Sequence, residues 1–425
     1  MVVRRPFRHL LTAAAAIGLI AVAAPAQAQT PHPGGDRFKR VGYFIQWGIY
    51  GRNFHVKDVD TSGAAARLTH VNYAFGNVGA DGTCVSADPW ADWQRPVPAE
   101  QSVDGVADQP GQALAGNLNQ LRKLKARHPG LAVLISLGGW TGSGHFSDAV
   151  LTPESRGRLA ASCVGLWLKG DLPGLPAGTG AGVFDGIDLD WEWPGSEGDA
   201  GNVIRPEDKR NFTLFVAELR RQMKAHDPKS QLTAFLPAAE AKIDAGFQVR
   251  EVFRDLDFAT IQGYDLHGSW ENRTGHNGNL FTDRRDPNPV KYSVDATVGA
   301  YLSRGAPARK IVVGVPAYGQ GWTGVASPRD GLYGQATGPA PATWAPGTED
   351  YKILAGKPGK RYRDLRTGTQ WLYDGNEFWS YDDPATLLEK AAYIRLKGLG
   401  GSMMWSLDQD DAKASLTSAL HKILR

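Results

Sequence analysis

Eight short apolar runs, each followed by a stretch that favours a helix or a turn, constrain this 425-residue chain more than any other feature. The runs lie at 40–47, 69–75, 132–138, 183–193, 232–238, 258–264, 310–318 and 400–406. Most lack the period-two alternation of a strand with one wet face. They fit strands buried on both faces, as parallel strands are. The segments between them carry helix signals. Pro206 opens one in which Phe212, Phe215, Val216, Leu219 and Met223 follow the i, i+3, i+4, i+7 stripe. Leu118, Leu121 and Leu124 mark a second that stops at Pro129-Gly130. Asp383-Pro384 opens a third through Leu387, Leu388, Ala391 and Ile394, closed by Gly398. Eight strands alternating with helices predict an α/β chain closed into a (β/α)8 TIM barrel.

One connection departs from that pattern. Roughly 60 residues rich in Gly, Pro, Trp and Tyr separate Tyr318 from Asp383, far more than an ordinary connection needs. Strand-like pieces at 369–373 and 377–381 flank a turn signal, Asp374-Gly375-Asn376. This segment is expected to form a small α+β insertion domain over 321–380, between strands seven and eight. That leaves 29–320 and 381–425 as the barrel. An insert after a barrel strand lies on the C-terminal face, where sites are built, and would raise one wall of a cleft. No tandem repeat or Ser/Thr/Pro-rich linker is visible, so no further binding module is expected.

Residues 1–28 have the pattern of a secretory signal. Arg4, Arg5, Arg8 and His9 precede an Ala-rich apolar run, and Ala26-Gln27-Ala28 supplies the small-x-small cleavage site. The run is roughly 15 residues, too short to span a bilayer comfortably, so an extracellular chain without a membrane partner is expected. Cleavage would also remove the basic excess. The formal charge is +3, and without Arg4, Arg5 and Arg8 the chain carries 44 basic and 44 acidic residues. A neutral chain gives no reason to expect nucleic acid as a partner. In an exported protein Cys84 and Cys163 are read as a bridge, with two buried thiols as the other reading. No zinc spacing, His-Glu-x-x-His or phosphate loop occurs, so neither metal nor cofactor is expected.

The densest chemical feature is the segment Phe184-Asp185-Gly186-Ile187-Asp188-Leu189-Asp190-Trp191-Glu192-Trp193-Pro194. Residues two apart in a strand share a face, so Asp188, Asp190 and Glu192 form one row. Like charges within a few Å push at least one carboxyl toward its neutral form. The last acid, at the strand's C-terminal end, stays within reach of substrate and can serve as a general acid. Three acids neutralised by Arg or Lys in a barrel core is the other reading. It suits one buried acid better than three in strict alternation.

Residues Asp185 to Glu192 resemble the Asp-Gly-x-Asp-x-Asp-x-Glu signature of family 18 glycoside hydrolases, the chitinases. Ser136-Leu137-Gly138-Gly139-Trp140, Gln262-Gly263-Tyr264-Asp265 and Met404-Trp405-Ser406 are similar to three further motifs of that family, in the same order. The resemblance covers 39–424 and lies nearest to bacterial enzymes whose barrel carries an α+β insert. It implies hydrolysis of chitin or chitooligosaccharides with retention, in which the substrate's own acetamide is the nucleophile. On that resemblance Glu192 is the acid and base, Asp190 holds the acetamide, Asp188 shares a proton with Asp190, and Tyr264 donates to the acetamide oxygen. Trp405 would floor the reacting sugar, with Asp265 beside it. Trp47, Trp140, Trp270 and Tyr43 match aromatic subsites, and Gln262 and Tyr318 fall at sugar-contacting positions. Ser136, Gly138 and Gly139 are expected to serve packing. Two positions depart from many relatives: Gln320 stands where Arg is common, and Gln262 where Met is common. A monomer is expected. A sugar-binding lectin on the same fold would have lost the terminal acid, and Glu192 is present.

Overall fold

The computed structural model describes residues 38–425 except Pro328; the leader at 1–28 lies outside the described residues. Eight parallel strands form the barrel: β1 (Lys39–Ile45), β2 (His70–Val78), β3 (Ala132–Gly138), β4 (Gly186–Asp190), β5 (Gln231–Leu236), β6 (Phe258–Ile261), β7 (Ile311–Pro316) and β8 (Gly401–Trp405). Each pairs in parallel with the next, and β8 closes on β1 through Lys39 opposite Gly401 and Gly42 opposite Met404. Every one of the eight apolar runs supplies a strand. Val133, Leu134, Ile135 and Leu137 of β3 are all fully buried. Side chains on one face fill the barrel and those on the other lie under helices, which is why the runs do not alternate.

The helices follow their signals. Gly116–Arg127 (α1) buries Leu118, Leu121 and Leu124. Asp208–His226 (α2) buries the stripe Phe212, Phe215, Val216, Leu219 and Met223. Pro384–Leu396 (α3) is capped by Asp383, whose carboxylate accepts the N–H groups of Ala385 and Thr386. No helix among the described residues is long and apolar enough to cross a membrane.

After β7 the chain enters an antiparallel sheet built mainly from Tyr318–Thr323, Thr348–Asp350, Lys360–Asp364, Thr369–Tyr373 and Phe378–Tyr381. The fold is therefore a TIM barrel with an insertion between its seventh and eighth strands. Asp374 accepts the N–H groups of Asn376 and Glu377 in the hairpin turn, and Tyr373 faces Phe378 across it. Tyr318, read from sequence as the end of the seventh strand, begins the inserted sheet instead; Pro316 ends β7 and Ala317 separates the two. Cys84 and Cys163 form a disulfide across 79 residues of sequence, joining the short strand that pairs antiparallel with the end of β2 to the helix ahead of β4.

Candidate active site

Asp188 collects hydroxyl donors from three other strands. The Tyr43 hydroxyl of β1 donates at 2.6 Å and Ser136 of β3 at 2.8 Å, and Thr233 of β5 donates to the other oxygen. β1 and β4 are not neighbours, so the Tyr43 bond crosses the barrel interior and places Asp188 inside it. Period two then puts Asp190 on the same side, nearer the mouth. Glu192 lies two residues beyond the end of β4. Its N–H donates to Ser143 Oγ at 2.8 Å, and Asn202 Nδ2 donates to its carbonyl at 2.9 Å. Gly138 lets β3 approach this turn. A Cβ there would stand 2.3 Å from the Asp190 carbonyl oxygen, and its φ is +112°.

The three acids differ in electrostatics. Burial pushes the Asp188 carboxyl up, and its hydroxyl donors pull it back. Asp190 has no such help. Burial, then Glu192, then Asp188 drive its carboxyl well above the usual carboxylate range. Its Oδ1 is buried with no hydrogen-bond partner among the described residues. Glu192 keeps some contact with solvent. Loss of water around it, followed by the charge of Asp265, pushes it up to about 8, against the pull of Lys242. At neutral pH Glu192 therefore holds a proton that it can give away.

Tyr264 is buried against Phe235, with ring centres 6.1 Å apart and nearly parallel, and Tyr318 meets it edge-on. Burial and the surrounding carboxylates raise its hydroxyl well above the ordinary tyrosine value, so it is a neutral donor. Asp265 takes the left-handed conformation, with φ +54°. Its N–H donates to Asn277 Oδ1 at 2.8 Å, and its carboxylate accepts Tyr318 at 2.7 Å and Gln320 at 2.8 Å. The first inserted strand thus reaches the acid row through Asp265. Gln320 addresses this carboxylate, where a neutral amide supplies a hydrogen bond but no charge. Gln262 accepts the Ala238 N–H at 3.2 Å, which ties the ends of β5 and β6 together.

Trp405 is half-buried and stacks on Phe75 at 5.6 Å, and Trp47 stacks on the same phenyl ring at 6.1 Å. Trp47, Trp140 and Trp270 are 41%, 48% and 64% exposed. Tyr43 does not join them. It is 1% exposed, packs against Trp405 at 5.1 Å, and commits its hydroxyl to Asp188. The expectation of a sugar-stacking Tyr43 is corrected: no face of its ring is open, and it holds the acid row. Ser136 likewise does more than pack, since its hydroxyl bonds Asp188. Sequence reasoning missed Ser143, Asn202, Phe75, Thr233 and Lys242. No local motif marks them, because each meets the site only through folding. A cavity of about 290 Å³ lined by Arg52, Lys352, Asp408 and Asp410 contains none of the acid row. In it Arg52 pairs with Asp350 and Asp408 at 2.8 Å each, joining the insert to the loop after β8.

A TIM barrel whose fourth strand carries Asp188 and Asp190 and leads to Glu192, with the exposed indole of Trp140 beside Lys242, has an arrangement of carboxylates of the kind that glycoside hydrolases use. The chain belongs to the glycosyl hydrolases family 18, whose family model matches residues 39–410. It is 39% identical over 387 residues to Chitinase C of Streptomyces lividans, covering 90% of this chain and 59% of that protein. Chitinase A1 of Niallia circulans is 35% identical, with 89% and 57% covered. The chain therefore spans under two thirds of these relatives' length. The catalytic domain of a psychrophilic chitinase B from Arthrobacter TAD20 superposes with a TM-score of 0.89 at 44% identity, covering 92% of this chain and 95% of that one.

Proposed function

We propose that the protein is a secreted, endo-acting chitinase that cleaves β-1,4 linkages between N-acetylglucosamine units with retention. Glu192 gives its proton to the glycosidic oxygen, and the bond between that oxygen and the anomeric carbon breaks toward the leaving sugar. The acetamide oxygen of the reacting sugar attacks its own anomeric carbon and forms a cyclic oxazolinium ion. Glu192, now a carboxylate, takes a proton from water as the water oxygen opens that ring. The two inversions leave the configuration unchanged. Asp190 accepts the acetamide N–H and faces the positive charge that develops. Asp188 shares its proton balance, and Tyr264 donates to the acetamide oxygen. Trp405 floors the reacting sugar, and Trp47, Trp140 and Trp270 stack neighbouring units. The inserted sheet that runs from Tyr318 to Tyr381 raises the wall that favours a long polymer.

One observation carries this reading: the buried Oδ1 of Asp190, which has no hydrogen-bond partner among the described residues. Leaving such an acceptor unpaired costs about 1–3 kcal/mol, which a substrate N–H beside the acid row would recover. The Glu192→Gln variant tests it on chitohexaose. Binding should persist while turnover falls on the order of 10²–10⁴-fold. Unchanged turnover would overturn the assignment, and the wild-type product time course distinguishes endo from exo action.

A further inference from the structure

Lys242 is a charged side chain at the site that the hydrolysis does not use. It lies in the short helix Glu240–Gly246 that follows β5. Its Nζ stands 5.6 Å from the ring centre of Trp193 and 5.9 Å from that of Trp140, and donates to the Glu197 carbonyl at 3.0 Å. Two indole faces and a carbonyl hold the ammonium in place. The carboxylates whose charge it feels are Glu192 and Glu197, and both favour its protonated form against the effect of burial. Trp193 follows Glu192 directly in the chain, so a fixed cation sits next to the residue that must reach the glycosidic oxygen.

Chitin is neutral, but each deacetylated unit carries an amine that is an ammonium at neutral pH. The reacting sugar has to be acetylated whatever Lys242 does, because its acetamide is the nucleophile. The leaving sugar carries no such chemical requirement. Its glycosidic oxygen lies at Glu192, within reach of the Lys242 charge, and two like charges at short range repel. We propose that Lys242 makes this site reject glucosamine on the leaving-group side, so that partly deacetylated chitin is cut where acetylated units stand on both sides of the bond. This rests on the chitinase reading above.

The test digests half-acetylated chitosan with the full chain and identifies the sugar at each new non-reducing end. Glucosamine there should be depleted about tenfold relative to its abundance, equivalent to about 1.4 kcal/mol. Lys242→Gln should lose the depletion, Lys242→Glu should reverse it to enrichment, and Lys242→Arg should keep it. In the wild type the depletion should weaken as salt rises from 0.1 to 1 M and the screening length falls from about 10 to about 3 Å. Random ends from the wild type, salt-independent depletion, or equal depletion in the Gln and Glu variants would overturn the proposal. Chitohexaose is digested in parallel: failure of the wild type to cleave it would instead overturn the chitinase reading.

Discussion

Tyr43→Phe separates two roles that the same ring could play. The substitution keeps the ring and its contacts with Trp405 and Phe75 at 5.1 and 6.5 Å, so it opens no cavity. Only the hydroxyl is lost, and with it a 2.6 Å hydrogen bond to a buried carboxylate. Such charge-assisted bonds contribute about 1.5–3 kcal/mol. Asp188 keeps Ser136 and Thr233. The Tyr43 hydroxyl is one of the donors that hold this carboxyl down, so its removal raises the proton affinity of Asp188. The acid limb of the rate profile should then move to higher pH, and kcat on chitohexaose should fall about tenfold, equivalent to about 1.4 kcal/mol. The unfolding entropy of about 390 residues is about 0.8 kcal/mol/K, so a loss of about 2 kcal/mol lowers Tm by only about 2–3 °C. A pH-rate series and a thermal melt suffice. An unchanged profile with unchanged kcat would refute the role in the acid row, since a stacking ring loses nothing in Phe.

Other outcomes follow from the same geometry. Glu192 is protonated below about 8, so kcat/KM should fall as pH rises through that value. Asp265→Asn removes a charge that raises Glu192 and should shift this alkaline limb downward, whatever it does to the absolute rate. The raised value of Glu192 also means that the folded state holds a proton the unfolded chain has lost. Stability should therefore fall with pH between the ordinary glutamate value and about 8, and Glu192→Gln should flatten that slope in a Tm series. Reducing the Cys84–Cys163 bridge frees a 79-residue loop and should cost about 4 kcal/mol, or about 5 °C in Tm, measured with and without reductant. Gly138→Ala forces a Cβ against the Asp190 carbonyl in a left-handed conformation and should depress both Tm and turnover.

The barrel was legible in the chain because its signals are local. Apolar runs of strand length, capped helices such as α3, and the Asp374-Gly375-Asn376 turn each act within a few residues of themselves. The acid row was legible for the same reason, since period two aligns Asp188 with Asp190 in β4 and Glu192 follows two residues past the end of that strand. What these residues bond to is decided only when the barrel closes. Tyr43 lies 145 residues from Asp188 in sequence, and its hydroxyl reaches that carboxylate across the interior. Tyr318 and Gln320 meet Asp265 over more than 50 residues, and Lys242 finds Trp140 through two different strand ends. Hydrogen bonds and proton affinities depend on Å-scale distances and on exclusion of water. The sequence by itself determined which groups are available and on which face they stand. The tertiary structure decided that Asp188 is satisfied, that Asp190 is not, and that Glu192 keeps its proton.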